Sequence, residues 1–462
     1  MPIGNGNGHS IFYKAVKAPA IALDKTVTSL QRLGKKPLDT ETLKHAKNYW
    51  TMLGPGLITG AADDDPSGIA TYSQTGAQYG FQLLWLAGFT FPLMALVQEM
   101  CARLGLVTGR GLAGNIRIHY PKWVLYTCAF GLFFANTLNI GADLGAMAKG
   151  VQLLYPQVPF FLPVIGFTLL SILLQVYMPY HQYAKVLKYL VFILFTYIAA
   201  ALLSHIDVRQ MLTHSIIPSL VFSKDQLFLI TGILGTTISP YLFFWQTSQE
   251  VEEEIQKGKT TLPLRQGSSD QEIKHMRADV WSGMFVSNIV MYFIIAACAA
   301  TLFTHGIKNI TTASDAALAL KPFAGDQAFL LFALGIIGAG LLAVPILAGS
   351  AAYTVAESFM WRSGLFRKLK EAYAFYGVII ISMLIGFIIN FLGIDPIKML
   401  IYSAVFNGLV APLILFIIVR MTSSSRVMKE RANGFFTSLM GWLITIIMTL
   451  SGLATIASLF IG

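Results

Sequence analysis

The sequence predicts an all-α, polytopic membrane protein built from two inverted five-helix repeats and an eleventh helix. Three observations point there. Of 462 residues, 55% are hydrophobic and only 12% charged, with a mean hydropathy of +0.63, whereas soluble domains carry about a quarter charged residues. Apolar runs long enough to cross a bilayer as helices recur along the chain, without the alternation of barrel strands. Two of these runs, five spans apart, are interrupted by a proline beside polar residues, at Asp65-Pro66 and Ser239-Pro240.

Residues 1–50 carry eight Lys/Arg and no apolar core of signal-peptide type, so they read as a cytoplasmic tail ahead of a transmembrane domain over 51–462. Spans are expected near 52–79, 82–107, 122–154, 156–178, 183–205, 226–247, 278–304, 325–355, 373–393, 396–420 and 434–461. Repeat one then covers about 51–205 and repeat two about 226–420, with 434–461 as a peripheral helix. A repeat of five spans is odd in number, which turns the second unit upside down relative to the first. Most of the 33 Lys and Arg fall in the tail and in the loops after the even-numbered spans. The other side holds only Arg209, Lys224, Lys308, Lys321 and Lys398, with Lys149 near a span end. That bias puts the N-terminus in the cytoplasm and the C-terminus outside a cell membrane. It also accounts for the net charge of +10 as topology, without nucleic acid as a partner. Cys101, Cys128 and Cys298 lie in apolar runs at no metal-ligand spacing, so neither a disulfide framework nor a zinc site is expected.

The first interruption, Asp63-Asp64-Asp65-Pro66-Ser67-Gly68, places three carboxylates inside hydrocarbon. Charge and unpaired backbone are tolerated there only against a protein-lined cavity. Asp65, directly before the proline, is the leading cation ligand, with Asp64 and Ser67 as lining. Three ionised carboxylates so close need a cation or water between them. In the second interruption Pro240 frees carbonyls of the preceding turn. Thr236 offers a carbonyl, Ser239 and Tyr241 offer hydroxyls, and Gln246 an amide further on. Broken helices in equivalent positions of two inverted halves point to a transporter's substrate site. These donors are all oxygen, with no Cys, His or Met, which suits a hard ion such as Mg²⁺, Mn²⁺ or Ca²⁺. Mg²⁺ in particular keeps much of its water.

On the third span Asn136, Asn139 and Asp143 share one helical face, as pathway lining or as partners of a neighbouring helix. Asn407 in the tenth span has the same two readings. Glu99 is expected to pair with Arg103. The run Glu250-Val251-Glu252-Glu253-Glu254 reads as solvated helix surface, and Phe243, Phe244 and Trp245 as packing residues.

Gly54-Pro55-Gly56, Asp65-Pro66, Ala70-Thr71, Ala102-Arg103-Leu104-Gly105 and Val107-Thr108-Gly109-Arg110 resemble the first two helices of the NRAMP divalent-metal transporters. The likeness extends over most of the chain. It implies a LeuT-like fold that moves metal inward by alternating access, with Asp65 as the first-helix metal ligand. The departures are specific. The family's Asp-Pro-Gly-Asn reads Asp65-Pro66-Ser67-Gly68, its Met-Pro-His reads Ser239-Pro240-Tyr241, and a later histidine is Gln246. The Asp–Glu proton relay is Asp143 with Ala146. This pattern resembles the NRAMP-related magnesium transporters, a branch with a hydrated-ion site and uncoupled transport.

The expectation is therefore a monomeric secondary transporter in the lipid bilayer, importing hydrated Mg²⁺ and also Mn²⁺. Its ligands would be Asp65, the Gly68 region, Thr236, Ser239 and Gln246, with no cofactor and no enzymatic activity. The competing readings are a proton-coupled Mn²⁺/Fe²⁺ transporter and, from another class, a sodium-coupled amino-acid transporter on the same fold.

Overall fold

The structure, a computed structural model, describes residues 49–204, 206–219, 221, 223–308, 310, 313–393 and 396–460. The expected tail lies outside the described residues except for its last two. Two compact units divide the chain, 1–53 and 54–462, and the second holds the helices of the membrane domain.

Among the described residues eight helices are long and apolar enough to cross a membrane, and the shorter apolar helices Phe161–Tyr177 and Tyr373–Ile389 add two more. The first span, broken into Pro55–Asp63 and Pro66–Tyr79, completes the expected eleven. Among the described residues there is no strand. Outward-facing Phe130, Leu169, Leu173, Ile388 and Leu450 are exposed in the protein alone, as side chains in contact with lipid must be.

Several ends differ from expectation because capping, not hydropathy, decides them. The seventh span begins at Asp270, eight residues early, where Ser269 and Glu272 form a reciprocal capping box. The sixth runs on to Gln256. In the eighth, Gly325 (φ 85°, ψ 174°) separates a preceding segment from the span proper, a conformation open to glycine and strained for other residues.

The packing shows the relation between the halves. Spans one and seven cross so closely that a Cβ on Gly60 would lie 2.2 Å from the Gly283 carbonyl. Spans two and six cross equally closely, since a Cβ on Gly105 would lie 2.4 Å from the Thr247 carbonyl. Small residues let membrane helices approach at backbone distance. Adding five to each member of the pair one and seven, counted within ten spans, gives six and two, so the two crossings are equivalents under an inverted repeat. The first half-helix has no local cap. Instead the Asp279 carboxylate of span seven accepts from the amides of Gly54, Gly56 and Leu57 at 2.8, 2.7 and 3.0 Å, where helix N-terminal donors favour an anion.

The glutamate run is not solvated. Glu250, Glu252 and Glu254 are buried, and the connection after span eight folds over Glu252. Glu252 accepts from the Tyr353 hydroxyl at 2.5 Å and from the amides of Leu365 and Phe366 at 2.8 and 3.1 Å. Glu254 pairs with Lys259 at 2.8 Å. Glu99 does approach Arg103, at 3.9 Å, but its closer partners are Arg277 and the Trp281 indole, both at 2.8 Å. Phe243, Phe244 and Trp245 are buried packing residues. The three cysteines are free and buried.

Candidate metal site

Both breaks follow one backbone plan. At the first, Asp64 (φ −84°, ψ 51°) leaves the helix, Asp65 (φ −69°, ψ 167°) is extended, and Pro66 opens the next helix. At the second, Ile238 (φ −117°, ψ 56°) leaves, Ser239 (φ −80°, ψ 130°) is extended, and Pro240 reopens. Proline dictates both. It excludes its predecessor from the helical region and, at the first helical position, removes a donor that would have been idle.

Asp65 Oδ1 accepts from the Gly68 amide at 2.7 Å and the Ser67 hydroxyl at 2.6 Å. Its Oδ2 accepts from the Asn139 amide of span three at 2.7 Å, and the Ser403 hydroxyl of span ten in turn donates to Asn139 Oδ1. A carboxylate held by three donors is oriented before any ion arrives. The two breaks abut: a Cβ on Gly68 would lie 2.9 Å from Thr236 Oγ1. An asparagine at 68 would therefore displace Thr236. Ser239 Oγ turns back to the carbonyls of Gly235 and Thr236, both at 2.7 Å. Each carbonyl has a second lone pair, so Thr236 keeps one for another donor or an ion. Tyr241 donates across the junction to the Ala62 carbonyl at 2.7 Å, which closes a carbonyl that the first break frees.

Around this junction lie carboxylates without counter-charge. Asp63, Asp64, Asp65 and Asp143 are all buried. Asp63 receives the Ser287 hydroxyl at 3.0 Å on one oxygen; its other oxygen and both oxygens of Asp64 and Asp143 have no hydrogen-bond partner among the described residues. No Lys or Arg forms an ion pair with any of the four among the described residues. Nor, among the described residues, do three His, Cys, Asp or Glu side chains converge there as a resident metal cage would require. The chemistry offered is one oriented carboxylate, neighbouring unpaired ones, and neutral oxygens.

The structure brings together Asp65, Ser67, Gly68 and Asn139 by direct bonds, with Thr236, Ser239 and Tyr241 across the junction. Asp143 is buried one turn past Asn139 on the same helix. Gln246, two turns past Ser239, donates instead to Glu250 at 2.9 Å. Asn136 donates to the Leu347 carbonyl of span eight at 2.9 Å, and Asn407 is buried, its Oδ1 without a hydrogen-bond partner among the described residues. Sequence reasoning missed Asp63 with Ser287, the Ser403 support of Asn139, and Asp279. Asp63 itself stood out as one of three consecutive carboxylates, and Asp279 as a carboxylate close to the start of an apolar run; their partners gave no signal.

Reciprocal span crossings and two broken helices meeting over buried carboxylates define an integral membrane transporter of the inverted-repeat class. The chain belongs to the Nramp family, whose natural resistance-associated macrophage protein-like model matches residues 56–458. Members of that family are divalent-metal transporters, not enzymes, and they carry the metal as substrate without a cofactor. Among solved structures, a manganese transporter of Eremococcus coleocola bound to an aromatic bis-isothiourea substituted compound is similar at 22% identity. The likeness covers 90% of this chain and 87% of that one, with a TM-score of 0.68. A single-residue mutant of the same transporter matches at 21% identity, over 90% and 88% of the two chains, with a TM-score of 0.67. MhsT in complex with L-phenylalanine matches at 13% identity over 87% and 98%, with a TM-score of 0.53. The likenesses establish a LeuT-like fold.

Proposed function

We propose that the protein is a secondary transporter that lets hydrated Mg²⁺, and also Mn²⁺, run down their electrochemical gradients into the cell, without coupled protons. The observation that carries this reading is the set of buried carboxylates at the junction of the breaks with no basic partner among the described residues. Burying a lone carboxylate costs several kcal/mol, which an arriving cation offsets. The choice of ion follows from the donors. Asp65, the Thr236 carbonyl and Ser239 are hard oxygens, and neither thioether nor imidazole stands beside them in the two breaks. Mg²⁺ usually meets protein through one or two carboxylates and keeps its remaining waters. Gly68 allows the two breaks to approach closely rather than supplying a ligand, and Gln246 joins the site only if span six moves. The fold shared with the Eremococcus coleocola manganese transporter supports alternating access about the same junction.

In this reading 51–462 forms the transport domain, with repeats over about 51–205 and 226–420 and the helix 434–461 outside them. The protein works as a monomer in the cell membrane, its N-terminus in the cytoplasm. Proteoliposomes reporting internal Mg²⁺ and pH test the proposal. Mg²⁺ entry without acidification is expected; no entry, or entry with stoichiometric proton influx, contradicts it.

A further inference from the structure

At the end of the molecule where the loops after spans two, six and eight meet, a cavity of about 580 Å³ opens beside the end of span six. Its size falls within the range of small-molecule sites, about 300–1,000 Å³. Five arginines line it, Arg110, Arg117, Arg265, Arg362 and Arg367, against two acidic residues, Glu252 and Glu357. The two acids are outnumbered, and their oxygens are bonded elsewhere. Glu252 is taken up by Tyr353 and the amides of Leu365 and Phe366, and Glu357 accepts from the Gly114 amide at 2.8 Å. Among the described residues none of the five arginines forms an ion pair.

Three of the arginines bind backbone, and Arg367 also lies over the Phe366 ring. Arg265 Nη1 donates to the carbonyls of Lys259 and Thr260 at 3.2 and 2.9 Å. Arg117 donates to the Ser358 carbonyl and Arg367 to the Ser363 carbonyl, each at 3.2 Å. These bonds orient the guanidinium groups of Arg117, Arg265 and Arg367 and leave several of the five donors of each for a ligand. Burial draws the Arg265 guanidinium below its ordinary value; Glu254 and Glu252 oppose this, and the like charges of Arg110 and Arg367 add a smaller push in the same direction as burial. Five like charges are thus gathered round a concave space in excess of its two acids. Positively lined clefts concentrate anions, and the guanidinium fork matches the oxygens of phosphate.

We propose that this cavity binds a phosphate-bearing anion, held chiefly by Arg110, Arg265 and Arg367. The ligand would touch the end of span six, the helix that carries Ser239, together with the connections after spans two and eight. It is placed to regulate movement of the broken helix rather than to enter the transport path. Two sources share this chemistry, a soluble phosphate compound and an anionic lipid headgroup.

The test uses the full chain, purified in detergent and titrated calorimetrically with inorganic pyrophosphate in the absence of Mg²⁺. Parallel samples in nanodiscs of phosphatidylglycerol or phosphatidylcholine are assayed for retained lipid. A soluble ligand predicts pyrophosphate binding that weakens at least about tenfold, about 1.4 kcal/mol, in Arg110→Gln/Arg367→Gln and is unchanged in Arg420→Gln, which lines a different groove. A headgroup ligand predicts no pyrophosphate binding but selective retention of phosphatidylglycerol, lost in the same double variant. Should that variant not elute as a folded protein, Arg110→Lys/Arg367→Lys keeps the charge, removes the fork, and must still weaken binding. Absence of both kinds of binding in the wild type, or binding equal in wild type and folded double variant, overturns the proposal. The transport reading stands or falls separately.

Discussion

At Asp64-Asp65 and at Ile238-Ser239 the backbone takes the same path out of one helix and into the next, yet the side chains use it in opposite ways. Asp65 turns forward, capping the helix that comes after it through the Gly68 amide. Ser239 turns back, donating to the carbonyls of Gly235 and Thr236 in the helix that ends. One break presents an anion, the other neutral oxygens. Proline sets the shape of a break, and the residue before it sets the chemistry. In the proposed function, an ion between them would meet a single oriented charge, with the remaining carboxylates near enough to attract it.

The largest effect should come from removing the charge that defines the first break. Asp65→Asn keeps a similar side-chain shape, and Mg²⁺ uptake into proteoliposomes should fall by about two orders of magnitude, on the order of 3 kcal/mol. Next, Asp64→Asn removes a buried carboxylate with no partner among the described residues. Its melting temperature should rise, by about 1–3 kcal/mol in stability, while Mg²⁺ binding weakens; a variant that is both less stable and unchanged in binding would mean Asp64 is compensated by another group. The second break can be given the soft donor it lacks. Ser239→Met should improve Mn²⁺ or Cd²⁺ affinity about tenfold relative to Mg²⁺, and a competition assay showing no change in the ratio would separate Ser239 from the ion. Smallest is the support of the first break: Asn139→Ala removes one bond to Asp65, and Mg²⁺ affinity should drop by about 1 kcal/mol, read by calorimetry.

The two breaks were legible because their signals are local. A proline within an apolar run and three consecutive aspartates need no knowledge of distant residues. The span count came from hydropathy for the same reason. What escaped was long-range. Asp63 finds Ser287, 224 residues away, and Asn139 finds Ser403, 264 residues away. Nothing near either residue in sequence announces the partner. The glutamate run shows the reverse error, where local composition suggested water and the connection around Leu365 and Phe366 supplied amides instead. Gln246 falls between these cases. Its place on span six was legible, but its turn toward Glu250 depends on how that helix end is covered.

Isothermal titration of wild type and Asp65→Ala with Mg²⁺ and with Mn²⁺, in protein that elutes as a single folded species, tests the central claim most directly. The account predicts binding of both ions to the wild type, with Mg²⁺ binding lost in the variant. Mg²⁺ binding that survives in Asp65→Ala would place the ion elsewhere and contradict it.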